Sequence, residues 1–230
     1  MGKYSKKIIS EKNLSLKEIL RLFIEISGED SAKKAKVNKY FADNFLTWMI
    51  YKWRIEILGN MNVSGQFTIR TWASGYEKIS SFREFEIIKD EKILAKASTV
   101  FVIVNTKGKK LSAIPKIVTD FYLVLNERNF EDFPRFKAKG KILNEISHEV
   151  LKEEIDNNHH VNNFYYIEWI LKALPKSYKK EKIKEINITY MKEILYPNTL
   201  KITAFEGENR LYFSIKSEDY NARAFLSFYN

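Results

Sequence analysis

The sequence contains no cysteine. That absence excludes disulfides, thiolate zinc sites and a cysteine nucleophile together, and it suits a reducing compartment. Glycine and proline are sparse, at 8 and 4 of 230 residues, so long disordered or low-complexity stretches are not expected. No apolar run approaches a membrane span; the longest, such as Ser98 to Val104, are strand-sized. The opening MGKYSKKIIS lacks the apolar stretch of an export signal, so a cytoplasmic protein without membrane insertion is expected. A GxSxG elbow, a glycine-rich phosphate loop and an HExxH pair are also missing. Their absence argues against a serine hydrolase, a nucleotide-binding protein and a zinc protease.

What is present describes a folded chain. Hydrophobic residues make up 45% and charged residues 30%, and 230 residues can bury a substantial core as one large domain or two fused small ones. The net charge of +10 is lopsided. Residues 1–128 carry 23 Lys and Arg against 14 Asp and Glu, a net +9, whereas residues 129–230 carry 16 against 15. A basic half favours acidic partners. The lysines are scattered and form no stripe, so nucleic-acid binding is not expected.

The hydrophobic pattern reads as a helix followed by strands, and then the same again. Leu16, Ile19, Leu20, Phe23 and Ile24 recur with helical period between Leu14 and Ile26, with Ser15 placed to cap the N-terminus. Strand-like stretches rich in β-branched and aromatic residues follow at Thr47–Leu58, Gln66–Ser74, Ser80–Ile88 and Ile93–Val104. Asn105 to Gly140, with Pro115, Pro134 and the polar run Asn126–Asp132, reads as a less regular interdomain connection that partly packs on the fold. A strand over His148–Ile155 then leads to a helix over Asn162–Leu174, which Pro175 stops. That helix is apolar nearly all round and is expected to be buried. Strands are predicted at Ile183–Lys192, Thr199–Phe205, Arg210–Lys216 and Ala222–Tyr229. A central helix wrapped by an antiparallel sheet, occurring twice, is an α+β tandem hot-dog arrangement, here divided as 1–128 and 129–230. Arg54–Leu58 and Met191–Leu195 are weakly similar at a displacement of 137 residues, in keeping with an internal repeat.

The polar run Asp156-Asn157-Asn158-His159-His160-Val161-Asn162-Asn163 carries the chemistry. Asp156, Asn158 and His160 fall at i, i+2 and i+4, which in an extended segment puts a carboxylate, an amide and an imidazole on one side. They lead into a helix N-terminus, where unpaired N–H groups and the positive dipole end can stabilise an oxyanion. The same residue types are also ordinary helix caps and loop formers. His159 and His160 are adjacent and would point apart, so no metal site is expected.

From Glu154 through Asn163, with Tyr166 and Trp169, the segment resembles the signature of the acyl-ACP thioesterases of plant plastids and anaerobic bacteria. The resemblance extends to Trp53-Arg54-Ile55-Glu56-Ile57 and Thr71-Trp72 in the first half, and to Ile188-Thr189-Tyr190-Met191-Lys192-Glu193 in the second. It implies a double hot-dog fold with Asp156, Asn158, His160 and Glu193 as the catalytic set and no cofactor. Plant members often carry Cys after that Glu; the position here is Ile194, so no thiol nucleophile operates. The implied substrate is a fatty acyl chain on acyl carrier protein, an acidic partner that the basic first half suits.

Hydrolysis would use water activated by Asp156 or Glu193, with His160 assisting proton transfer and Asn158 holding the carbonyl or the water. Backbone N–H groups at Asn162 and Asn163 would face the oxyanion. Direct attack by Asp156 through an anhydride is left open. The acyl chain is expected beside the central helix of the first half, with Trp48, Ile50 and Trp72 as candidate lining residues that serve equally well as plain core. Two alternatives stand beside hydrolysis: a hot-dog 3-hydroxyacyl-thioester hydratase or dehydratase, and a non-catalytic acyl-thioester-binding module. A homodimer is left open, because the tandem repeat already supplies the hot-dog pair internally.

Overall fold

In the computed structural model, which describes residues 2–59, 63–136, 140–156 and 159–229, the chain divides into two compact units, Met1–Asp132 and Phe133–Asn230. The division falls four residues after the one drawn from the sequence. The first unit opens with a strand that hydrophobic periodicity does not mark, β1 (Tyr4–Ser10). It is mostly exposed, lysine-bearing and lies at the sheet edge, where charge discourages further pairing.

Helix α1 (Leu16–Ala32) starts where Ser15 caps it. The Ser15 Oγ accepts the Glu18 N–H at 3.3 Å while a Glu18 carboxylate oxygen accepts the Ser15 N–H at 2.8 Å, a reciprocal capping box. Ile19, Leu20, Phe23 and Ile26 form its buried face. Phe23 packs on Phe85 at 5.0 Å and on Trp53 at 6.2 Å between ring centroids. The helix runs six residues past the predicted end at Ile26, through residues of poor helix propensity. Asp30 is held there by the buried Arg83 guanidinium at 2.9 Å, and Glu29 pairs with Lys6 of β1. Tertiary contacts thus override local preference.

A second helix, α2 (Ala35–Asp43), is lysine-rich and was not expected from the pattern. It buries only Val37 and Phe41, too few positions to establish a period. Four long antiparallel strands follow at the predicted places: β2 (Leu46–Ile57), β3 (Gly65–Glu77), β4 (Ser80–Lys89) and β5 (Lys92–Asn105). The connection after them packs on the fold, as expected, and also carries short elements that the pattern did not mark. It contains the short strand β6 (Lys110–Ser112) and helix α3 (Lys116–Phe121), and Leu123–Asp132 is tied to the sheet. Leu125 N–H donates to the Ala73 carbonyl, the Trp72 indole N–H to the Glu127 carbonyl, and Asn129 N–H to the Glu84 carboxylate.

The second unit holds β7 (Ile142–Glu149), α4 (Tyr165–Lys172), β8 (Ile183–Tyr190), β9 (Thr199–Glu206), β10 (Leu211–Lys216) and β11 (Tyr220–Phe228). β7 lies some six residues earlier than predicted. Its register on β9 sets Ile146 opposite Ile202 and His148 opposite Leu200, whereas Lys152–Glu154 tightens into a 3-10 turn. The helix is also shorter than predicted, with Asn162 and Asn163 in the turn before it. It is buried at Tyr166, Ile167, Trp169 and Ile170, while Tyr165, Glu168 and Leu171 are half-buried.

The first unit orders its strands β1-β3-β4-β5-β2 and the second β7-β9-β10-β11-β8. Both therefore run a strand, a helical segment (α1 and α2 in the first unit, α4 in the second), then four main strands, with the first strand at one end of this order and the strand after the helical segment at the other. This is the α+β double hot-dog arrangement.

Candidate active site

The loop from Ile155 to Val161 is a short hairpin. Ile155 and Val161 form an antiparallel bridge, the Asp156 N–H donates to the His160 carbonyl at 2.8 Å, and the His159 N–H donates to the Asp156 carbonyl at 3.0 Å. His159 has φ +64°, a left-handed turn conformation, and its side chain is exposed. An Asp156 carboxylate oxygen accepts the His160 N–H at 3.3 Å, so the side chain of one predicted site residue shapes the backbone of the next. Asn158, the third member of the predicted cluster, falls outside the described residues.

The second chain segment of the site comes from beyond β8. Val161 N–H donates to the Ile194 carbonyl at 2.9 Å, which lays Glu193 alongside the hairpin. His160 Nε2 and Glu193 Oε2 are 2.9 Å apart. Thirty-three residues of sequence separation are thereby reduced to a 2.9 Å contact. Both side chains remain open to solvent, at 32% and 42% exposure.

Asn221 of β11, 1% exposed, holds this segment from the other side. Its carbonyl accepts the Met191 and Lys192 N–H groups, and its side-chain amide reaches the Glu193 carbonyl at 3.4 Å. No motif marked Asn221; its signal is a buried amide at the head of an apolar strand. Glu56, the counterpart of Glu193 in the weak repeat, sits within β2 and pairs with Lys96 at 3.0 Å. The first copy has spent its carboxylate on a cross-strand ion pair.

One predicted role is corrected. The Asn162 N–H donates to the Glu154 carbonyl at 2.9 Å, so it continues the hairpin ladder and is not available to an oxyanion. Asn162 instead shapes the turn into α4, its carbonyl accepting the Tyr165 N–H at 3.0 Å. The Asn163 N–H has no acceptor among the described residues, and the Asn163 carbonyl accepts the Tyr190 hydroxyl at 3.1 Å. Tyr190 and Tyr166 meet edge to face at 5.0 Å. Burial raises the Tyr166 phenol above its ordinary range and the Glu193 charge raises it further, so it stays neutral beside the site.

The three candidate acyl-lining residues do not share an environment. Trp72 is 2% exposed, donates its indole N–H to the Glu127 carbonyl at 2.8 Å and lies under Lys3. Thr71 is paired with Phe85, whose ring faces α1, so Trp72 projects from the opposite face of the sheet. It is core beneath Leu123–Asp132 and not a wall beside the central helix. Trp48 packs on Phe41 of α2 at 5.3 Å and edge-on to Phe101 at 6.1 Å. Ile50 is half-buried on β2, opposite Phe101. Among the described residues no group of His, Cys, Asp and Glu is arranged to hold a metal ion. No helix among them is long and apolar enough to cross a membrane.

Comparison with known proteins shows the family and the fold. Residues 5–122 match the acyl-ACP thioesterase N-terminal domain family and residues 140–224 the acyl-ACP thioesterase C-terminal domain family. The chain is 26% identical over 204 residues to the chloroplastic oleoyl-acyl carrier protein thioesterase of Coriandrum sativum, covering 79% of this chain and 55% of that protein. It spans about half the length of the curated relatives it matches. In fold it superposes on an acyl-ACP thioesterase of Bacteroides thetaiotaomicron with a TM-score of 0.84 at 22% identity, covering 99% of this chain and 98% of the other. The 12:0-ACP thioesterase of Umbellularia californica gives 0.82 at 14% identity, covering 99% and 97%.

Proposed function

Because the chain belongs to the acyl-ACP thioesterase family, we propose that it hydrolyses the thioester of acyl carrier protein in the cytoplasm, releasing a free fatty acid and the carrier thiol. The observation that carries this reading is the 2.9 Å contact of His160 with Glu193 on a solvent-open rim. An imidazole oriented by a carboxylate can take a proton from water as water attacks a carbonyl carbon.

Water adds to the thioester carbon, and its proton passes to the His160–Glu193 pair. The tetrahedral oxyanion is assigned to the Asn163 N–H, and Asn158 is assigned to hold the carbonyl or the water. Collapse breaks the carbon–sulfur bond and expels a thiolate, which regains the proton from the pair. A thiolate is a good leaving group, so a strong general acid is not needed. Asp156 has a structural share in the site, since its carboxylate accepts the His160 N–H that closes the hairpin. The second unit supplies these groups, and the first unit is assigned the acyl chain.

The test is release of acid and thiol from a panel of acyl-ACPs and matched acyl-CoAs. Turnover of acyl-ACP is expected, with His160→Ala and Glu193→Gln each lowering kcat on the order of a hundredfold or more. A folded wild-type protein that turns over no thioester would sink the proposal in favour of acyl-thioester binding alone. A product with a new or shifted double bond would mark a dehydratase or hydratase.

A further inference from the structure

Glu154 lies two residues before Asp156 and is only 3% exposed. Both of its carboxylate oxygens are engaged. Oε2 accepts the Leu151 N–H at 2.9 Å and lies 2.9 Å from His148 Nε2. Oε1 accepts the Trp169 indole N–H at 3.0 Å and lies 3.1 Å from the same His148 nitrogen. The His148 and Trp169 rings are packed together at 4.8 Å. Burial pushes the Glu154 carboxyl up, but the hydrogen bonds from His148, Leu151 and Trp169 outweigh it, and the group sits below its ordinary value. One side chain therefore ties together β7, through His148, and α4, through Trp169.

The main chain of the same residue extends the tie to the reacting pair. The Glu154 carbonyl accepts the Asn162 N–H, which secures the returning leg of the hairpin. Val161, next in line, donates to the Ile194 carbonyl, and Ile194 follows Glu193. On the outgoing leg, Asp156 bonds to both the carbonyl and the N–H of His160. His160 and Glu193 are thus each fixed by backbone bonds to segments that Glu154 anchors.

We propose that Glu154 is a positioning residue, whose buried carboxylate, clasped by His148 and Trp169, sets the separation of His160 and Glu193. The proposal rests on the hydrolase reading of that pair. Loss of the charged acceptor leaves buried donors on two elements short of a partner, and the hairpin base shifts as they seek others. A displacement of about 1 Å at a reacting pair can cost about a hundredfold in rate.

Glu154→Gln keeps the shape and removes the charge. It is expected to lower kcat on acyl-ACP by roughly tenfold to a hundredfold, with KM held within about twofold. In a Glu193→Gln background the same change is expected to cost little more, because the geometry it protects is already lost. Additive losses in that cycle, or an unchanged kcat, would overturn the proposal. A readout without turnover separates the two readings: the His160 imidazole resonances in NMR spectra, which report on the carboxylate 2.9 Å away. They are expected to shift between the wild type and Glu154→Gln. If that change occurs in a protein with no thioesterase activity, positioning stands and the hydrolase reading fails. If the wild type is active and neither signal nor kcat moves, positioning fails. Should Glu154→Gln not fold, His148→Gln, which keeps a donor, and His148→Leu, which does not, make the same comparison. Equal kcat in these two would equally overturn it.

Discussion

Two buried glutamates are tuned in opposite directions, and the difference lies in what faces them. Glu84 of β4 is fully buried and receives hydrogen bonds from the Ser74 and Ser98 hydroxyls and the Asn129 N–H. Burial outweighs these donors and raises its carboxyl above the ordinary 4.5. Such a group contributes most stability below its unfolded value, and the contribution fades as pH rises through the folded one. Glu84→Gln is therefore expected to melt at a higher temperature than the wild type near neutrality, with the gap closing as pH falls towards 4.5. Glu154 is depressed, so its contribution is present above the ordinary value and is lost as pH falls through the folded one. Glu154→Gln should accordingly lose melting temperature near neutrality and converge on the wild type in acid. Melting curves of the two variants across pH should slope in opposite senses; parallel behaviour would refute the assignment.

At the scale of elements, the ends of helices and strands carry the testable contacts. The N-cap at Ser15 was legible in the sequence, and the structure adds Glu18, three residues on, as its reciprocal partner. Ser15→Ala should cost about 1 kcal/mol, or roughly 2–4 °C in melting temperature for a chain of this size, by calorimetry. The entry to β7 depends on Gly140 for a reason that was not legible. A Cβ at that position would lie 1.8 Å from the Glu206 carbonyl oxygen of the neighbouring strand, and backbone cannot yield as a side-chain tip can. Gly140→Ala is expected to destabilise the protein by about 1–3 kcal/mol. β1 and α2 escaped the pattern because they bury few residues. β7 was misplaced because His148-Glu149-Val150-Leu151 reads as a strand locally, while the Glu154 carboxylate draws the Leu151 N–H into a tight turn.

For the whole molecule, charge is the property that speaks to the partner. Under the proposed function, the net +9 of residues 1–128 would draw an acidic substrate carrier by long-range attraction. With acyl-ACP as substrate, kcat/KM should fall as salt rises while kcat stays nearly constant, since screening acts on encounter. A salt-independent kcat/KM would remove electrostatic steering from the account.

The sequence alone determined the repeated helix-and-sheet pattern, most strand positions and the contiguous residues Asp156 to Asn163. Burial periodicity and motif spacing are local properties, written at separations of a few residues. Only the tertiary structure decided that Glu193 meets His160, that the Asn162 N–H is spent on Glu154, that Trp72 faces away from α1, and that His148 and Trp169 clasp Glu154. These depend on strand register and on how one loop closes against another. Hydrogen-bond partners across elements are chosen by the fold, because buried polar groups must be paired wherever the chain happens to bring them.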